Sequence, residues 1–207
     1  MDPRIVHLFV CDGLSDWEIG YVLPMLNNPV VGYSVRTVGV SWEPIRTAGG
    51  LAILPDLQLA ELEPAQSAML ILPGSGAWEQ GGYPEAIDKA RKFLAADVPV
   101  AAICGATAGL AQAGLLDDRP HTSNAREYLQ ALDYRGEAFY QDQPAVTDDN
   151  LITASATASI AFAYHILQKL QAYSPRVLEA WYGLFTTGDQ AYFYAWQQAA
   201  AEESAGV

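Results

Sequence analysis

The chain has 207 residues, 51% of them hydrophobic and 17% charged, enough apolar material for one large domain whose core offsets chain entropy without disulfide or metal staples. Eleven basic residues against 24 acidic ones give a net charge of −13. Such a field repels phosphate backbones and anionic lipid headgroups, which makes nucleic acid and membrane surfaces poor partners. Two cysteines, Cys11 and Cys104, and a start that runs straight into an apolar strand predict a cytoplasmic protein without a structural disulfide. The long uncharged stretch 98–116 carries Pro99, Gly105, Gly109 and Gly114, and reads as a buried strand followed by a small-residue helix rather than a membrane span.

Residues 4–10 are a short apolar run stopped by Cys11-Asp12-Gly13, the pattern of a strand buried on both faces. Ser15-Asp16-Trp17-Glu18 then fits a capping box, with Ser15 as N-cap and Glu18 at the third helical position, opening a helix that Pro24 and Asn27-Asn28-Pro29 limit. Residues 33–40 are β-branched and alternating, residues 47–56 read as a turn and a short strand, and residues 68–72 form an apolar strand ending at Pro73-Gly74-Ser75-Gly76. Helical spacing follows over 83–96, then a strand over 99–103, then at once Cys104 and a helix ending near Gly114. The piece Pro120-His121-Thr122-Ser123-Asn124 leads into a helix capped by Ser123 or Asn124. Asp148-Asp149-Asn150 reads as a hairpin tip, which puts an antiparallel piece at one sheet edge. Three helical stretches close the chain: about 157–172, then Ser174-Pro175 as N-cap and first residue of a helix to Phe185, then Asp189 onward, with residues 202–207 fraying. Apolar strands alternating with helices predict an α/β fold with a mostly parallel sheet covered on both sides. The break near 172–175 separates a main unit, 1–173, from a C-terminal helical extension, 174–207, packed on the same domain.

In a parallel α/β sheet, ligands bind beyond the carboxyl ends of the strands, where helix N-termini present their N–H groups. Three segments fall there: Cys11 to Glu18, Pro73 to Gly76, and Cys104-Gly105. Cys104 stands at a strand-to-helix turn as tight as a nucleophile elbow, with Gly105 and Ala106 leaving the reacting atom uncrowded and the helix N-terminus favouring thiolate. The competing reading is a small hydrophobe at a strand end. Glu18 would be carried above the same edge, held protonated by burial among Trp17 and Ile19 and able to move a proton, unless it serves only the capping box. The N–H groups of Gly74, Ser75 and Gly105 would form an oxyanion hole. Of the three histidines, His7 reads as a hydrogen-bonded core residue, His165 as a helix residue near solvent, and His121 as the candidate to stand near the site. Cys11 is the candidate resolving thiol. No metal-ligand spacing occurs, and neither a metal nor a cofactor is expected.

Asp12-Gly13…Asp16-Trp17-Glu18, Gly49-Gly50-Leu51…Pro55-Asp56, Leu70 to Gly74, Ala102-Ile103-Cys104-Gly105, Ala113 to Asp117 and Asn150 to Ala154 together resemble the PfpI superfamily. This is the class I glutamine amidotransferase-like group that includes the Parkinson-disease-associated deglycase/chaperone, intracellular cysteine proteases, chaperone-type glyoxalases and isonitrile hydratase. The resemblance covers nearly the whole chain. It implies a flavodoxin-like three-layer sandwich, usually a homodimer, with Cys104 as nucleophile and Glu18 hydrogen-bonded to it. Many members place a histidine directly after the cysteine or at the end of the short strand that follows the cysteine helix. Here those positions are Gly105 and, by alignment, Ser123, with His121 two residues before it on the same face, so peptidase action is not expected. The turn also reads Gly74-Ser75 where the family commonly has two glycines. The expectation is a cysteine-dependent hydrolase or lyase acting on a small electrophile such as an aldehyde, amide or isonitrile. The alternatives are a stress or redox-sensing protein whose Cys104 is oxidised to sulfinic acid, and a scaffold without chemistry. The aromatic C-terminal segment reads as core or subunit contact.

Overall fold

The computed structural model describes residues 4–205, and its strands in chain order are β1 (Arg4–Phe9), β2 (Tyr33–Gly39), β3 (Ile45–Arg46), β4 (Ala52–Ile53), β5 (Leu57–Gln58), β6 (Met69–Leu72), β7 (Val100–Ile103), β8 (Ala145–Asp148) and β9 (Leu151–Ala154). Seven of them form one sheet in the order β5-β2-β1-β6-β7-β9-β8, parallel throughout except for β8, which returns antiparallel on β9 across the Asp149-Asn150 turn. The expected edge hairpin is therefore present, with Asp149 in the left-handed region at φ 47°. β3 and β4 make a separate antiparallel ribbon. Without its short edge pieces the sheet reads 2-1-3-4-5, the flavodoxin-like order.

The helices are α1 (Asp16–Ile19), α2 (Val22–Leu26), α3 (Pro84–Ala95), α4 (Gly105–Gln112), α5 (Arg126–Gln130), α6 (Ser159–Lys169), α7 (Pro175–Thr187) and α8 (Gln190–Ala205). β6 and β7 are buried at every position, which is why both read as unbroken apolar runs. α4 is buried on all sides through Ala111, and its small residues have a local cause. A Cβ on Gly109 would lie 2.7 Å from the Trp78 ring, and one on Gly105 would lie 2.7 Å from the Ser75 carbonyl oxygen. α1, α2 and α6 pack together, α7 stacks on α6, and α8 on α7. Trp181 and Phe185 of α7 meet Tyr21 edge-on.

Several local expectations are corrected. The first helix is two short ones, and Pro24 lies inside the first turn of α2, where its missing N–H costs nothing. Ser15 precedes α1 but its side chain makes no capping hydrogen bond, and the Glu18 carboxylate, the other half of the expected capping box, reaches to the Gly74 N–H instead. Ser174 does cap α7, accepting from the Val177 N–H at 3.4 Å with Pro175 in first place. α8 continues to Ala205 instead of fraying from residue 202; residues 206 and 207 of that expected tail lie outside the described residues. His7 is a core histidine as expected, its Nδ1 2.9 Å from Ser67 Oγ. His165 is half-buried, its Nδ1 bound to Thr147 Oγ1 at 2.7 Å.

The chain lays β2 and β5 on one side of β1, and β6, β7 and β9 on the other. Strand order thus reverses at β1 and β6, the place where a crevice opens above an α/β sheet. The three segments singled out above leave the carboxyl ends of the neighbouring strands β1, β6 and β7.

Candidate active site

Cys104 leaves β7 with φ 58° and ψ −127°, a conformation that L-residues rarely hold and that costs on the order of 1–3 kcal/mol. Its N–H donates to the Ala154 carbonyl at 3.0 Å, and its carbonyl accepts from the Thr107 N–H and hydroxyl at 3.1 and 2.6 Å. Ser123 Oγ lies 2.6 Å behind that hydroxyl. These contacts clamp the strained turn and leave the half-buried thiol at the crevice.

Glu18 comes up from α1, fully buried. Its loop is laced to the turn after β6 in both directions, the Ser15 N–H donating to the Gly74 carbonyl at 3.0 Å and the Gly74 N–H donating to Glu18 Oε2 at 2.6 Å. Asp12 and Asp16 fasten the same loop to the β3–β4 ribbon, accepting from the N–H groups of Arg46 at 2.8 Å and Gly49 at 2.6 Å. Glu18 Oε1 has no hydrogen-bond partner of its own. A Cβ on Gly74 would stand 2.8 Å from that oxygen and 2.9 Å from Cys104 Sγ, so both atoms face one small space that only glycine leaves open.

The electrostatics reverse one expectation. Burial first, and the Glu18 carboxylate second, push the Cys104 thiol up to about 11, while hydrogen bonds from Asn124 and the Gly105 N–H pull in the other direction and are outweighed. The helix N-terminus thus does not make Cys104 a resting thiolate. Burial also raises Glu18 above the ordinary carboxylate value, against the pull of Gly74 N–H, Cys104 and Ser15. The pair holds a thiol beside a carboxyl group whose proton affinity is raised.

Two further expectations are corrected by hydrogen bonding. The Gly74 N–H is committed to Glu18, which leaves the N–H groups of Ser75 and Gly105 as the main-chain donors of the turn. His121 is fully buried, with Nδ1 2.7 Å from the Arg119 carbonyl oxygen and Nε2 bound to the Tyr134 hydroxyl, so both nitrogens are engaged away from the sulfur. Cys11 is buried as well, and burial raises its thiol too. The side chain that reaches Cys104 from this region is Asn124, with Nδ2 3.6 Å from Sγ and Oδ1 accepting from the Ala156 N–H at 2.9 Å. Neither it nor Ser123 caps α5, which begins at Arg126 and has Ala125 as its N-cap. In sequence, Asn124 looks like an ordinary cap, and nothing local distinguishes it. Tyr128 also faces the site, its hydroxyl donating to Glu79 at 2.9 Å and held protonated by burial and then by Glu79. Beside Asn124 opens a cleft of about 580 Å³ that includes Ser123, Arg126, Tyr140, Gln143 and Thr157.

A flavodoxin-like sheet with a strained cysteine after a central strand and a buried glutamate from the first crossover defines an α/β protein built around a tight strand-to-helix elbow. The chain belongs to the DJ-1/PfpI family, whose model matches residues 4–169. A Bacillus subtilis relative named YoaZ, an uncharacterized protease, is 41% identical over 202 residues, which is 94% of this chain and 96% of that protein. The crystal structure of a thiJ/pfpI family protein from Bacillus anthracis superposes with a TM-score of 0.90 at 38% identity, covering 96% of this chain and 98% of that one. A DJ-1 superfamily protein from Agrobacterium tumefaciens gives 0.82 at 31% identity over 89% and 98%. Among the described residues no helix is long and apolar enough to cross a membrane.

Proposed function

We propose that the protein is a cysteine-dependent enzyme that adds Cys104 to a small electrophilic carbon, with Glu18 as the group that takes and returns the proton. The observation that carries this reading is the unpartnered Glu18 Oε1 facing the same space as Cys104 Sγ. A thiol with a value of about 11 is protonated at neutral pH, so attack requires a base in contact with it, and Glu18 in its ionised form supplies one. As the Sγ–C bond forms, the thiol proton passes to Glu18, and from there to the atom that received the carbon's electron pair. In this reading the Ser75 and Gly105 N–H groups supply the main-chain donors for the developing negative charge.

Peptide hydrolysis fits this site poorly, although relatives carry the word protease in their names. No imidazole contacts Cys104 among the described residues, since His121 is engaged elsewhere. The redox-sensing alternative draws on the same thiol; a stable two-oxygen mass gain at Cys104 under dilute peroxide, with no turnover of the panel below, would favour it. The test is a panel of small aldehydes, amides and isonitriles assayed with wild type and Cys104→Ala. Turnover of at least one compound, abolished in the variant, is expected; turnover that survives in Cys104→Ala overturns the reading.

A further inference from the structure

Asn124 has no part yet in the chemistry above. A backbone N–H can only donate, so the Ala156 N–H fixes which end of the Asn124 amide is oxygen and aims the NH₂ group at the sulfur. Ala156 is itself held from the other side, its carbonyl accepting from Trp17 Nε1 at 3.2 Å. The donor is therefore oriented before any substrate arrives. In the turn after β6, the Gly74 N–H is unavailable because Glu18 holds it at 2.6 Å. The site has given up one main-chain donor and gained a side-chain donor.

We propose that Asn124 is a catalytic residue: its amide donates to the Cys104 sulfur in the resting protein and, after attack, to the oxygen on the attacked carbon. This rests on the addition chemistry proposed above and narrows its substrate class to carbonyl compounds, since an isonitrile carries no oxygen on the attacked carbon. In the step, the Sγ–C bond forms and the C=O π bond breaks, its electron pair moving to oxygen. The thiol proton travels through Glu18 to that oxygen, and nothing is oxidised or reduced. Asn124 takes up no proton, and donates to that oxygen both while it carries charge and in the neutral adduct that follows.

The test uses propionaldehyde as a reversible ligand that protects Cys104 from alkylation by iodoacetamide. Iodoacetamide reacts at a tetrahedral carbon and builds no charge on an oxygen there, so its own rate serves as the control. In Asn124→Ala, the aldehyde concentration for half-protection is expected to rise at least about tenfold, while the alkylation rate without aldehyde stays within about threefold. Asn124→Leu keeps a similar volume and adds no charge beside the sulfur, but removes the donor. It should lose protection likewise, and it carries the test if the alanine variant does not fold. Protection by aldehyde in wild type that is undiminished in a folded variant overturns the role of Asn124 alone. Absence of protection in wild type overturns the addition chemistry, and this role with it.

Discussion

Replacing Glu18 by Gln separates the two things that residue does to Cys104. The substitution keeps the shape of the side chain and an oxygen for the Gly74 N–H, now at 2.6 Å from Oε2, but removes the negative charge and the base. In wild type the thiol is pushed to about 11, with the Glu18 charge second only to burial among the causes. At about pH 8 such a thiol is ionised to roughly one part in a thousand. A like charge at contact distance raises a value by about one unit or more, so its removal increases the thiolate fraction about tenfold. Lower basicity makes each thiolate a weaker nucleophile by roughly half of that exponent, leaving a net gain of about threefold. Iodoacetamide should thus alkylate Cys104 in Glu18→Gln about three times faster than in wild type at pH 8, with the rate read by intact-protein mass. Turnover of a carbonyl substrate should move the other way, falling by about 10²-fold or more because the proton acceptor is gone. An alkylation rate that falls or stays level in Glu18→Gln would refute the electrostatic coupling of the two groups.

Gly74→Ala should destabilise the protein by about 1–3 kcal/mol in urea titration, because the added Cβ meets Cys104 Cβ at 2.7 Å and Glu18 Oε1 at 2.8 Å. An unchanged midpoint, together with unchanged Cys104 alkylation, would mean that the three loops are not in the contact described. His7 governs part of the acid stability. Burial, and then the Arg36 charge, lower it from 6.5 to about 4, so the unfolded chain takes up a proton there before the folded protein does. The stabilisation is complete above pH 6.5 and is lost as pH falls towards 4, amounting to about 3 kcal/mol at most. His7→Gln, which cannot titrate, should flatten that part of the stability curve, and a curve as steep as that of wild type would contradict the assignment.

Much of this molecule is legible from residue pattern alone. Unbroken apolar runs at 69–72 and 100–103 announce strands buried on both faces, and the Asp148-Asp149-Asn150 tip announces the antiparallel return at the edge of the main sheet. The small residues of 105–111 signal a helix under close approach, and Trp78 is what approaches. Cys104 and Glu18 stand out because strand ends followed by helices are short-range features, set by residues a few positions apart. The local signal failed where a side chain left its own element. Glu18 fits a capping box in sequence, yet its carboxylate crosses to Gly74, and Asn124 reads as a helix cap yet turns to Cys104 and Ala156.

Only the folded arrangement could decide the electrostatics and the membership of the site. The shift of the Cys104 thiol depends on burial and on a carboxylate brought from 86 positions away in the chain, quantities that no local pattern encodes. The same holds for His121, which lies on a promising segment but is turned into a closed contact with Arg119 and Tyr134. Local sequence thus determined the strands, the turns and the elbow, because backbone preference acts over a few residues. The strand order β1-β6-β7 decided which loops meet, and desolvation at that meeting point decided which of their groups carries a proton.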